Sequence, residues 1–142
     1  MSDVVKVKSG SKFEEINSYS RLVQAGDYVF VSNTAGRNYK TRAIAADVVG
    51  QAEQAFRNIE AALAAVGLTL KDVVAIRCHV PDPAETGLVG RFLGDRFRGI
   101  DPAATMICTP LAHHEMKVEF EVTAYRRRDP SAPEKRISIE IG

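Results

Sequence analysis

A chain of 142 residues with 45% hydrophobic and 26% charged side chains has the make-up of a single globular domain, which excludes the disordered and fibrous classes. Its net charge of +1 is unevenly placed: residues 126–142 hold five Lys/Arg against three Asp/Glu, so residues 1–125 carry −1, and a nucleic-acid footprint with its basic stripe is not expected. No apolar run approaches the roughly 18 residues of a membrane span, and MSDVVKVKSG lacks a secretory apolar core, so the expectation is a cytoplasmic protein with no membrane contact.

Val4–Lys8 alternates apolar and basic residues, the pattern of a short edge strand. Ser18–Gln24 and Tyr28–Asn33 predict two further strands about the turn Ala25-Gly26-Asp27, and Asn33–Lys40, with Gly36 and Asn38, reads as an exposed loop. A helix is predicted from about Ala45 to Val66. Val48, Val49, Ala52, Phe56, Ile59, Leu63 and Val66 make its buried stripe, while Gln51, Glu53, Gln54, Arg57 and Glu60 fill the remainder. Gly67 stands where a left-handed residue closes such a helix.

Val73–Val80 predicts a strand with Val74, Ile76, Cys78 and Val80 on one face and Val73, Ala75, Arg77 and His79 on the other. Asp82 as cap, Pro83 in the first turn and Glu85 three residues on predict the start of a second helix. Leu88, Val89, Phe92, Leu93 and Phe97 form its apolar stripe, and Gly90 and Gly94, four apart, leave room for another backbone. Cys78 and Cys108 are too few for a disulfide framework, and both are read as reduced and buried in apolar strands.

The most informative stretch is Asp101–Tyr125. It predicts strands at Ala104–Thr109 and Lys117–Tyr125 joined by a polar turn at His113–Glu115. In the second strand Val118, Phe120, Val122 and Ala124 share one face, and Glu119, Glu121, Thr123 and Tyr125 the other. Two carboxylates thus stand roughly 7 Å apart on an apolar strand. Glu119 is the candidate for chemistry; Glu121 is read as structural, paired with Arg77 or Arg126. Adjacent histidines at His113-His114 point apart, so no metal site is expected. His79 is either an acid/base in a cleft or a hydrogen-bonded structural residue.

The order of elements is that of an α+β fold: a mixed β-sheet, opened and closed by hairpins, with two helices packed on one face. Its uncovered face calls for self-association. Residues 1–128 form the domain. Residues 129–142, broken by Pro130 and Pro133 and then alternating at Ile137, Ile139 and Ile141, form a C-terminal extension, either an added edge strand or a mobile tail.

Four segments resemble the Rid family (reactive-intermediate deaminases, YjgF-type or L-PSP-type): YSRLVQAGDYVFVSNT at 19–34, QAFRNIEAALAAVGLTLKDVVAIRCHVPD at 54–82, DPAATM at 101–106 and KVEFEVTAY at 117–125. The resemblance implies a chorismate-mutase-like fold, a homotrimer with small-molecule sites in clefts between subunits, and no cofactor. For the well-known branch it also implies hydrolysis of enamine and imine intermediates to 2-keto acids and ammonia. Tyr19, Ser32 and Glu119 are retained, the last matching the glutamate that positions the hydrolytic water.

The departures are as informative. The arginine that follows Pro-Ala in the deaminating branch, whose fork grips the substrate carboxylate, is Ala104 here. The Ser-Gly turn reads Ser32-Asn33, a helix asparagine falls on Gly90, and a cysteine falls on Met106. Arg21, two residues from Tyr19 on a predicted strand, is expected either to replace the lost anchor or to be a solvated edge arginine. The expected site is therefore Glu119 with Tyr19, Arg21, Ser32, Asn33 and Thr105. Its function is hydrolysis of a small metabolite such as an imine, with a non-catalytic binding module as the alternative and a ribonuclease as a more distant one.

Overall fold

The computed structural model describes residues 2–142. Strand β1 (Val4–Val7), helix α1 (Lys12–Ile16), β2 (Leu22–Ala25), β3 (Tyr28–Ala35), α2 (Val48–Ala65), β4 (Val73–Val80), α3 (Thr86–Arg96), β5 (Ala103–Cys108) and β6 (Glu119–Tyr125) follow in order. The strands form one six-stranded mixed sheet in the order β1-β2-β3-β6-β4-β5, with only the β4–β5 pair parallel.

The core lies between this sheet and helices α2 and α3. Ala52, Phe56, Ile59 and Leu63 on α2 are fully buried, as are Val118, Phe120 and Ala124 on or just before β6. Phe56 is the hub: its ring meets Phe120, Phe92 and Phe97 edge-on at centroid distances of 4.9, 5.1 and 5.7 Å. Each such pair adds about 0.5–1.5 kcal/mol beyond area burial. Asp47 caps α2 by accepting from the Gly50 N–H at 3.0 Å, and Gly67, at φ +77°, closes it as expected.

The alternation along β6 is as the sequence predicts, because nothing interrupts its period of two. Elsewhere the structure corrects the reading. The first is an unforeseen short helix, α1, lying where a polar connection was expected. Ser11 caps it by accepting from the Phe13 N–H, and Ser11-x-x-Glu14 is a helix-start signature in the sequence. The second concerns β4. Its register against β6 carries an extra residue between Val73 and Ala75, so Val73 is buried and Val74 is 44% exposed, the reverse of the predicted faces.

Third, β5 and β6 do not form a hairpin: β4 lies between them, parallel to β5 and antiparallel to β6. The Pro110-containing connection is too long for a tight turn and crosses over β4. Cys108, on the outer strand β5, is accordingly exposed, whereas Cys78 is buried and burial pushes its thiol up to about 12. Among the described residues, no atom outside the helix's own nearby backbone comes within 4 Å of a Cβ placed at Gly90, so no second backbone approaches there.

Residues 133–142 join neither a helix nor the sheet. Arg136 holds the extension to the domain through Asp101 at 2.5 Å and the Gly99 carbonyl at 2.9 Å, while Ile137, Ile139 and Ile141 are 71–85% exposed. Among the described residues no helix is long and apolar enough to cross a membrane.

Candidate functional site

The site is built around a bulge. The β3–β6 register runs from Tyr28↔Tyr125 to Val31↔Val122 and resumes at Thr34↔Phe120, which places one extra residue on β3. Val29 and Val31 point into the core, and after the bulge the inward position falls on Thr34. Asn33 is thereby turned to the open side of the sheet, where its Nδ2 donates to Glu119 Oε1 at 2.9 Å. A regular strand would have sent Asn33 inward with Val29 and Val31.

Beneath the bulge lies a buried ion pair. Glu14 on α1 accepts from Arg21 Nε at 3.2 Å, from the Ser9 N–H at 2.9 Å and from the Ser9 hydroxyl. Arg21 also donates to the Asn33 carbonyl at 3.0 Å and Thr34 Oγ1 at 3.1 Å, and its Nη2 lies 3.4 Å from the Tyr19 hydroxyl. Its guanidinium faces the rings of Tyr19 and Tyr39 at 5.5 and 5.7 Å. Arg21 is thus not a solvated edge arginine. It lies before β2, only 5% exposed, because α1 covers it and supplies the counter-charge.

The loop between β3 and α2 forms the second wall, and it is fastened rather than free. A Cβ at Gly36 would sit 2.1 Å from the Gln51 carbonyl oxygen, so the loop lies directly on the backbone of α2. Asn58 Nδ2 donates to the carbonyls of Ala35 and Arg37, at 3.2 and 2.9 Å. Gln51 donates to the carbonyls of Ala45 and Glu115 and accepts from the Lys117 N–H. Gln51 is 1% exposed, a correction to its placement among the polar residues filling the rest of the helix: on α2 it belongs with the buried stripe, where it ties three segments together.

Between these walls is a cavity of about 280 Å³. Of the residues expected at the site, Tyr19, Arg21, Asn33 and Glu119 line it. Ser32 and Thr105 do not. The Ser32 hydroxyl donates to the Ser20 carbonyl at 2.7 Å, bracing the bulge, and Thr105 stands exposed on β5 opposite Arg77. The sequence reading missed Phe13, Arg37, Tyr39, Arg42, His113 and Met116, which also line the cavity. Most come from segments taken as loop, where no periodicity marks an inward side chain.

Burial raises the Glu119 carboxyl above its ordinary range, partly offset by His79, Arg21 and His113. His79 is its cross-strand neighbour on β4. Two buried atoms near this carboxylate, Asn33 Oδ1 and His79 Nδ1, have no hydrogen-bond partner among the described residues. A carboxyl so placed holds a proton more readily than an exposed glutamate, which suits it to proton transfer. Burial likewise raises the Tyr39 hydroxyl, opposed by Arg21.

A mixed six-stranded sheet backed by helices, with a polar cleft at a β-bulge, sets the class of protein. The family model described as Endoribonuclease L-PSP matches residues 9–126, and the chain belongs to that family, the YjgF or Rid proteins. The 2-iminobutanoate/2-iminopropanoate deaminase of Escherichia coli is 29% identical over 115 residues, 79% of this chain and 90% of that protein. A RutC family protein of Pyrococcus horikoshii is 25% identical over 127 residues, 89% of this chain and 99% of that protein. The crystal structure of Rv2704 from Mycobacterium tuberculosis, a member of the YjgF/YER057c/UK114 family, superimposes with a TM-score of 0.78 at 36% identity, covering 86% of this chain and 98% of that one. The α+β fold expected from the sequence is the fold of these neighbours.

Proposed function

We propose that this chain is a small-metabolite hydrolase acting on imines or their enamine tautomers, with Glu119 directing the water. The observation that carries this is the Glu119 carboxyl itself: half-buried in a cleft, raised by burial, and held by Asn33 at 2.9 Å. In the reaction, Glu119 accepts a proton from water as its oxygen bonds to the imine carbon. Glu119 returns that proton to the nitrogen, giving a carbinolamine; the hydroxyl proton then passes to the nitrogen as the C–N bond breaks, so ammonia leaves and a carbonyl compound remains. No cofactor is required. The deaminase name carried by relatives at 29% identity agrees with this chemistry.

In this reading Tyr19 and Asn33 orient the ligand, Arg21 sets the position of both, and Ser32 braces the bulge. Thr105 enters from a second copy, since all six residues of β5 are exposed in the single chain. A homotrimer whose clefts lie between subunits brings that strand to the site. Ala104, at the second position of β5, supplies no charge to a substrate, and this favours the alternative of a binding module without turnover. A ribonuclease is disfavoured by the −1 charge of residues 1–125.

Ammonia and keto-acid release from freshly generated 2-iminobutanoate, compared between wild type and Glu119→Gln, tests the proposal. Turnover that falls at least about 100-fold in the variant supports the hydrolase. Absence of turnover in wild type with saturable ligand binding replaces it with the binding module.

A further inference from the structure

Three guanidinium groups line the cavity, and their charges are not equally committed. Arg21 is neutralised by Glu14, and its fork is engaged by Asn33, Thr34 and Tyr19. Arg37 is paired with Glu115 and donates to the Arg42 carbonyl at 2.9 Å. Arg42 has no carboxylate partner and no side-chain hydrogen bond among the described residues. Glu119 is the one acidic residue in the lining, and it is held by the Asn33 amide at 2.9 Å rather than by an arginine. The lining therefore presents one guanidinium that no acid or hydrogen-bond partner among the described residues holds, beside apolar surface from Phe13, Ala35, Ala112 and Met116.

We infer that Arg42 is the residue that grips an anionic group of the ligand here, a small carboxylate with a short apolar body, in place of a charge at the start of β5. The inference rests on the proposed reading of this cavity as a small-metabolite site, and adds to it the origin of anion selectivity. The fork of Arg42 suits a carboxylate, which it can bind through two parallel hydrogen bonds. Its backbone is set for the task. Arg42 adopts φ +64°, a conformation an arginine rarely takes, and its N–H donates to the Asn38 carbonyl at 2.8 Å. Asn38 Oδ1 accepts from the N–H groups of Lys40 and Thr41, and an isolated bridge joins Arg37 to Ile44. With Gly36 seated on α2 and Asn58 holding two loop carbonyls, Arg42 is carried on a fixed support, which lowers the cost of ordering it around a ligand.

Calorimetric titration of the full chain with 2-oxobutanoate and with its uncharged amide tests this. Wild type is expected to prefer the carboxylate by at least about tenfold, the effect of one charge-assisted contact. Arg42→Met should abolish that preference by weakening carboxylate binding far more than amide binding, and Arg42→Lys should restore part of it. Arg42→Gly relieves the left-handed strain and should fold at least as well as wild type, yet lose the preference like the Met variant, which separates charge from loop conformation. Equal carboxylate affinity in wild type and Arg42→Met, or no saturable carboxylate binding by wild type, overturns the inference. Absence of turnover with an intact Arg42-dependent preference overturns the hydrolase reading instead.

Discussion

The two flanks of the sheet are finished to different degrees. On the β3 flank, polar groups have been answered within the chain: Glu14 accepts three hydrogen bonds, from Ser9 and Arg21, Arg21 donates to four residues, and the loop carbonyls of Ala35 and Arg37 share Asn58. The β5 flank is marked instead by exposure at every position of the strand. Met106 and Ile107 are each 38% exposed, and the isoleucines of the C-terminal extension stand in solvent close to where Arg136 meets Asp101. One flank holds its buried charges within a single chain, although Tyr28 and Phe30 there stand about half-exposed; the other is a strand exposed at every position, which a second copy would cover. Stability should therefore respond to substitution on the first, and assembly on the second.

The sharpest way to break that contrast is Glu14→Gln, which leaves the Arg21 charge buried without its counter-ion. A loss of about 3–5 kcal/mol in urea unfolding is expected. A loss below about 1 kcal/mol would mean that the pair is dispensable and the flank less finished than its contacts indicate. Gly36→Ala comes next. Its Cβ would overlap a helix carbonyl rather than a flexible side chain, so relief requires the loop to lift, at a cost of about 3 kcal/mol and with loss of the cavity. The same unfolding experiment, with amide-proton exchange of residues 36–44, measures both.

On the other flank, Ile107→Asp should change single-chain stability by no more than about 0.5 kcal/mol. Its effect should appear as a drop in particle mass by sedimentation velocity; a wild-type particle that is already monomeric ends the contrast. The smallest effect is expected from Glu119→Gln. Because burial raises this carboxyl in the folded state, folding is favoured below the unfolded-state value and loses that contribution as pH rises through the folded one. The variant should therefore melt slightly higher than wild type at pH 8, with the difference fading as pH falls into the ordinary carboxyl range. The opposite trend would mean that Glu119 is stabilised as a carboxylate.

What the sequence disclosed follows from where periodicity is unbroken. The α2 stripe and the β6 alternation were legible, and with them Glu119 on the open face. Arg21 and Asn33 were legible as members of the site, but not their roles, which depend on a helix of five residues and on a bulge. An extra residue in a strand leaves no mark in composition, so Val73 and Val74 were exchanged. Gln51 and Asn58, seven residues apart on α2, lie along its buried side, and amides at that spacing are a sign of clamps rather than of a wet face. Arg42 carries no such sign. Its importance depends on which neighbouring arginines have already found acids.

The bulge on β3 has a further consequence for comparing this chain with its relatives. Its effect on Asn33 comes from the number of residues between Val31 and Thr34, not from their identity. A single-residue gap in an alignment at that point would turn a different side chain toward Glu119 even where every letter on either side agrees. Chain length across those few positions therefore decides which side chain faces Glu119, whatever the percentage identity over the whole domain.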